Sequence, residues 1–141
     1  MEKIIKEKIS ADHLLYVSLK YTKTCDVIIN LLYRWKIMIE LAMEKMIEDA
    51  KKQKKISFIS DAPRAKIVQL RKLYANNKDV MDVLDLYELF RDIDSLEKVR
   101  ENEFRKGVTL RVKYKGQEVA IDLDKLKEYS ALLERFISLL K

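Results

Sequence analysis

Breakers are nearly absent from this chain of 141 residues, which has two Gly and one Pro. With so few of them among many helix formers, the chain reads as mostly helix. No Gly-rich phosphate loop is present. The single cysteine, Cys25, excludes an intramolecular disulfide and a multi-cysteine zinc site. Its place in a helical stretch predicts a buried thiol, in keeping with a reducing cytosolic compartment. The single histidine, His13, lacks a partner to orient it for catalysis. Ser10 lies three residues back and Asp12 is adjacent, and neither spacing builds a triad. HExxH and GxSxG are missing too, and the sequence calls for no cofactor. No unbroken run of about 18 apolar residues occurs, so no membrane-spanning helix is expected. The opening MEKIIKEKIS mixes charges and does not read as a signal peptide. Gln and Asn are scarce beside Lys, Glu and Ile, a balance that resembles heat-adapted, archaeal proteomes. These absences describe a cytoplasmic protein without a membrane partner.

What is present begins with Thr24 to Lys55, a stretch without Gly or Pro and too apolar for a surface helix. At helical spacing Ile28, Leu31, Leu32, Trp35, Met38, Ile39, Ala42 and Met46 form one stripe. Val27, Ile37, Leu41 and Ile47 widen it, which calls for partners on more than one side. Arg34, Glu40, Glu44 and Glu48 mark the wet edge. Thr24 or Thr22 is the expected N-cap. Asp26 near the start and Lys51, Lys52, Lys54 and Lys55 at the end suit the helix dipole. Trp35 and the methionines read as core packing.

The other elements follow from the same patterns. Hydrophobic residues make up 48% of the chain, enough for one domain over residues 1–141 with its own core. A first helix is expected from Glu2 to Tyr21, with Ile5, Ile9, Leu15 and Leu19 as its apolar side, Ile4 and Val17 beside them, and Ser10 and Asp12 as an interruption. The short link Tyr21–Thr24 makes helices one and two an antiparallel hairpin. Ser60 and Asp61 are expected to cap a third helix with Pro63 in its first turn. A fourth should run from Asp79 to about Glu103, where Gly107 stops it. The period then changes to two, predicting a β-hairpin over residues 108–123. Asp124 should cap the last helix, whose Leu126, Leu133 and Phe136 cover the hairpin. Arg111, Lys113 and Lys115 would guard the edge of the first strand, and the strand edges are an expected dimer contact. The fold class is thus a mostly α, antiparallel bundle of about five helices with one β-hairpin before the last.

Charge is banded. The net +6 divides into a neutral first third, then nine Lys/Arg against one Asp over residues 51–78, three against nine over 79–104, seven against three over 105–127, and a neutral end. The basic run offers Lys51, Lys52, Lys54, Lys55, Arg64, Lys66, Arg71 and Lys72 to phosphates, with Phe58 available for base stacking. The acidic run places Asp85, Glu88 and Asp92 on one helical face, a set that can take Mg²⁺ or Mn²⁺. A di-metal bundle would want carboxylates from other helices and a Glu-x-x-His pair, which the sequence lacks.

Two long antiparallel helices opening with ADHLLYV, a capped third helix, a fourth ending in ENEFRKG, a hairpin and a final helix resemble a family of small archaeal proteins with no assigned activity. More distantly the layout is similar to HEPN domains, helical dimers that act in RNA cleavage or beside nucleotidyltransferases. The HEPN nuclease signature, an Arg followed after four to six residues by His, has no match, because no His follows position 13. That resemblance therefore implies a binding or scaffolding role. The sequence leads to a non-enzymatic interaction protein, a homodimer with a possible further protein partner. The rival readings are a nucleic-acid module at residues 51–72 and a metal-dependent enzyme at the acidic helix, residues 79–92.

Overall fold

The computed structural model describes residues 1–59 and 61–141. The first helix, α1, spans residues 2–21: α-helical over Glu2–His13, a π turn over Leu14–Ser18, and α-helical again over Leu19–Tyr21. It is followed by α2 (Cys25–Lys52), α3 (Pro63–Leu73) and α4 (Lys78–Asp92), the last ending in a 3-10 turn, Ile93–Ser95. Three strands come next, β1 (Lys98–Glu101), β2 (Thr109–Tyr114) and β3 (Gln117–Ile121), and then α5 (Leu123–Leu140). The sheet order is β1-β2-β3 with both pairs antiparallel. The mostly helical architecture is as the sequence predicts, with one strand more than the expected hairpin. Among the described residues no helix is long and apolar enough to cross a membrane.

The other four helices and β2 pack on α2. The Thr24 hydroxyl accepts the Val27 N–H at 3.4 Å and starts the helix. Its 28 residues make a rod of about 42 Å. Every residue of the predicted stripe is buried, and Trp35 stacks on Phe90 of α4 with Tyr129 of α5 edge-on to both rings. The Tyr87 hydroxyl of α4 donates to Glu40 of α2 at 2.8 Å. Burial first, and then that carboxylate, push the Tyr87 hydroxyl well above the usual tyrosine range. Burial likewise pushes Tyr129 up to about 12, with Glu128 adding to it. α1 runs back along α2, with Arg34 pairing with Glu7 at 3.5 Å, and reaches α5 through Lys8 and Glu134 at 2.6 Å.

Four expectations are corrected. Ser10 and Asp12 do not interrupt α1; the departure comes one turn later, as the π turn. Its cause is spacing: Ala11, Leu15 and Leu19 are all buried at steps of four, wider than the 3.6-residue turn. The i→i+5 turn absorbs the excess, and Ile9 and Val17 end up exposed. Second, the fourth helix stops near Ser95 rather than Glu103. The Lys98 amine donates to the carbonyls of Ile93, Asp94 and Leu96 at 2.9, 3.0 and 3.1 Å, and so binds the chain back onto the end of the helix. Lys98–Glu101 then pairs with β2. Gly107, at φ +87°, lies in the β1–β2 turn and ends no helix. Third, the caps are shifted: Asn77 accepts from Val80 and Asp122 from Lys125, leaving Asp79 and Asp124 in first turns. Ala62 holds the N-cap position of α3, so Asp61 does not cap it, and Ser60 lies outside the described residues. Fourth, β2 is the central strand. Its Arg111 and Lys113 guard no open edge, because β1 covers it, and Lys115 lies in the turn beyond the strand.

Lys115 and Gly116 both take positive φ, 52° and 76°, the geometry a two-residue hairpin turn needs. The longer β1–β2 turn folds back on the start of α2. Its Phe104 N–H donates to the Lys23 carbonyl at 2.7 Å, and Glu103 accepts the Cys25 N–H at 3.3 Å. Arg100 of β1 pairs with Asp26 at 2.8 Å. These contacts bring a segment eighty residues distant against the α1–α2 link, and so build one end of the molecule.

Candidate functional site

The acidic face of α4 is answered by a cation from α3. Arg71 donates to Asp85 at 2.8 Å and to Glu88 at 2.5 Å, and Asp92 turns to Arg91 at 3.2 Å. Burial alone would lower the Arg71 pKa; its two carboxylate partners outweigh this and raise it. Among the described residues no three His, Cys, Asp or Glu side chains converge as a metal ion requires. The three-four spacing sets Asp85 and Glu88 together against Arg71 of α3.

That pairing also breaks up the basic segment. Lys51, Lys52, Lys54 and Lys55 are exposed at the end of α2, and Arg64 and Lys72 are exposed on α3. Arg71 is held by α4, and Lys66 is half-buried on the wall of a hollow that also contains Glu40 and Glu44. The eight cations therefore do not form one track. Phe58 is exposed, while its carbonyl accepts from Gln69 at 3.2 Å. His13 is exposed, with the Ser18 hydroxyl 3.5 Å from Nδ1, and the neighbouring Asp12 pairs with Lys8 at 2.8 Å. Cys25 is buried as expected; its thiol donates to the Thr109 carbonyl at 3.3 Å. Burial, then the Glu103 carboxylate, push this thiol up to about 11.

Two surfaces stand out instead. The first is a ridge on the outer side of α2: Ile29, Tyr33, Ile37 and Leu41, spaced by four. Tyr33 is 53% exposed and the other three are half-buried. A hollow of about 290 Å³ with Phe90 and Ile93 in its wall lies beside Ile29 and Tyr33. Another of about 300 Å³, reaching Pro63 and Tyr87, lies beside Ile37 and Leu41. Ile37 and Leu41 were legible as the flank of the stripe; Ile29 and Tyr33 were not.

The second is a groove at the end built by the β1–β2 turn. Leu15, Leu19, Val108 and Leu123 make its floor, and Tyr16 and Gly107 its sides. Lys20, Lys23, Lys106 and Lys127 stand around it, and among the described residues no carboxylate lines it. Lys23 is fixed by donating to the Lys20 carbonyl at 2.6 Å, and the Lys20 amine lies 5.9 Å from the Tyr21 ring centre. The π turn shapes this wall, keeping Leu15 and Leu19 inward while Tyr16 faces the opening. The four lysines are scattered in sequence, so only the fold reveals the ring. No known protein family, curated protein or solved structure matches this chain.

Proposed function

We propose that this chain is a cytoplasmic, non-enzymatic interaction protein that works as a homodimer, joined through the outer ridge of α2. The observation that carries the reading is the ridge itself, an apolar row at i, i+4 spacing with one hollow beside its first half and another beside its second. Such rows interdigitate with their own copies at a crossing angle of roughly −50°. A two-fold axis through the ridge would seat each Tyr33 or Ile37 in a hollow of the other protomer, an isologous contact. The rim carries Lys36, Arg91 and Lys66 beside Glu40, Glu44 and Asp94, a mixture that can pair with itself. The more distant resemblance of the bundle layout to HEPN domains, which are helical dimers, supports the same reading.

Light scattering on the eluting protein tests the reading. The chain should elute at twice 16.7 kDa, and Ile37→Glu should give a folded monomer. A wild-type monomer at high micromolar concentration, or a dimer indifferent to Ile37→Glu and Tyr33→Glu, would overturn it.

A further inference from the structure

The α2 ridge leaves the lysine-rimmed groove unused, and the two share no residue. We propose that this groove binds a free medium-chain carboxylate, its alkyl tail on the leucine floor and its head among the four amines. The volume is about 260 Å³. A single water needs only roughly 10–15 Å³ of such space, so the groove has room for a medium-chain alkyl tail. The floor carries no polar side chain. A nucleobase there would lose water from its edge groups without regaining hydrogen bonds, whereas an alkyl tail loses nothing. The rim is complementary to one negative head: four ammonium groups with no lining carboxylate repel one another until an anion enters. Asp124 stands one turn before Lys127 on α5 but is not part of the lining. Gly107, at φ +87°, and the Phe104 bond to the Lys23 carbonyl hold Lys106 and Lys23 on the same opening.

Decanoate below its micelle concentration, titrated calorimetrically into the full-length chain, tests the proposal. The expected result is one site per chain, weakened by added salt. Reversing Lys106 and Lys127 to Glu together should weaken it about tenfold or more, with decanol binding alike to both proteins. Leu123→Trp, at a partly exposed position, should block the groove without altering charge; melting curves would confirm that each variant is folded. Absence of decanoate binding, undiminished binding after both charge reversals, or capture of phosphatidylglycerol vesicles without decanoate uptake would each overturn it. The oligomeric state is read separately, so failure here leaves the α2 dimer untouched.

Discussion

Cys25 sits where α1, α2 and the sheet meet, fully buried, with its thiol bonded to a β2 carbonyl and a carboxylate close by. The thiolate is the reactive form, and both burial and Glu103 oppose it. The native chain should therefore resist thiol reagents at pH 8.5 and label at once in denaturant; fast native labelling would show that this end opens. The same displacement has a consequence for stability. The folded-state pKa, about 11, lies above the value near 8.5 of an unfolded cysteine. Between these two the unfolded chain gives up its proton first, so the stabilisation is complete below about pH 8.5 and lost as pH rises through about 11. Urea midpoints should fall over that window in the wild type and more shallowly in Cys25→Ala. At this scale the sequence is a good guide: the place of Cys25 in an apolar stretch announces its burial. It is no guide to the Thr109 carbonyl, because that bond depends on a turn formed some eighty residues later.

The clearest event at the scale of elements is the end of α4. Residues 96–101, LEKVRE, contain no breaker, and five of the six are good helix formers, so continuing the helix is the reasonable local reading. What stops it is a single amine: Lys98 turns back onto three carbonyls, and the chain beyond it gains β2 as a partner. Pairing with an existing strand outweighs a propensity difference of a few tenths of a kcal/mol per residue. Lys98→Ala leaves those acceptors to water and should cost about 1–2 kcal/mol in urea unfolding. Amide exchange should quicken at residues 93–101. Loss of less than about 0.3 kcal/mol would mean that water replaces the amine freely. The π turn of α1 has the opposite lesson. Its signal is in the sequence, in the steps of four from Ala11 to Leu15 to Leu19, and a reading that allows only the 3.6 period misassigns Ile9 and Val17 to the core. The caps behave likewise: Asn77 and Asp122 each have an acidic residue two positions on, and hydrogen-bond geometry alone decides which of the two accepts.

For the molecule as a whole the banded charge decides how it meets salt and acid. The sequence displays the bands, but not that the fold sets the basic α3 against the acidic α4, with Arg71 between Asp85 and Glu88. Further pairs cross between elements at Lys8 and Glu134, Arg100 and Asp26, and Arg135 and Asp79. At neutral pH two electrostatic effects therefore compete. The net charge of +6 repels itself and favours expansion, while neighbouring opposite bands attract. Six surplus charges spread over 8542 Å² of surface are far apart on average, whereas the pairs lie within 4 Å. Attraction should win, each exposed pair contributing a few tenths of a kcal/mol. Salt shortens the Debye length from about 10 Å at 0.1 M to about 3 Å at 1 M, so chloride should lower the melting temperature at pH 7. Near pH 2 the balance inverts. The 23 carboxylates are then largely protonated, and 29 Lys and Arg repel with almost nothing to answer them. The same chloride addition should now raise the melting temperature, or refold a chain expanded by acid. Melting followed by circular dichroism at both pH values reads the sign directly. A rise at both would mean that the long-range repulsion of +6 already dominates at pH 7, and that the contacts between α3 and α4 hold the bundle by packing alone.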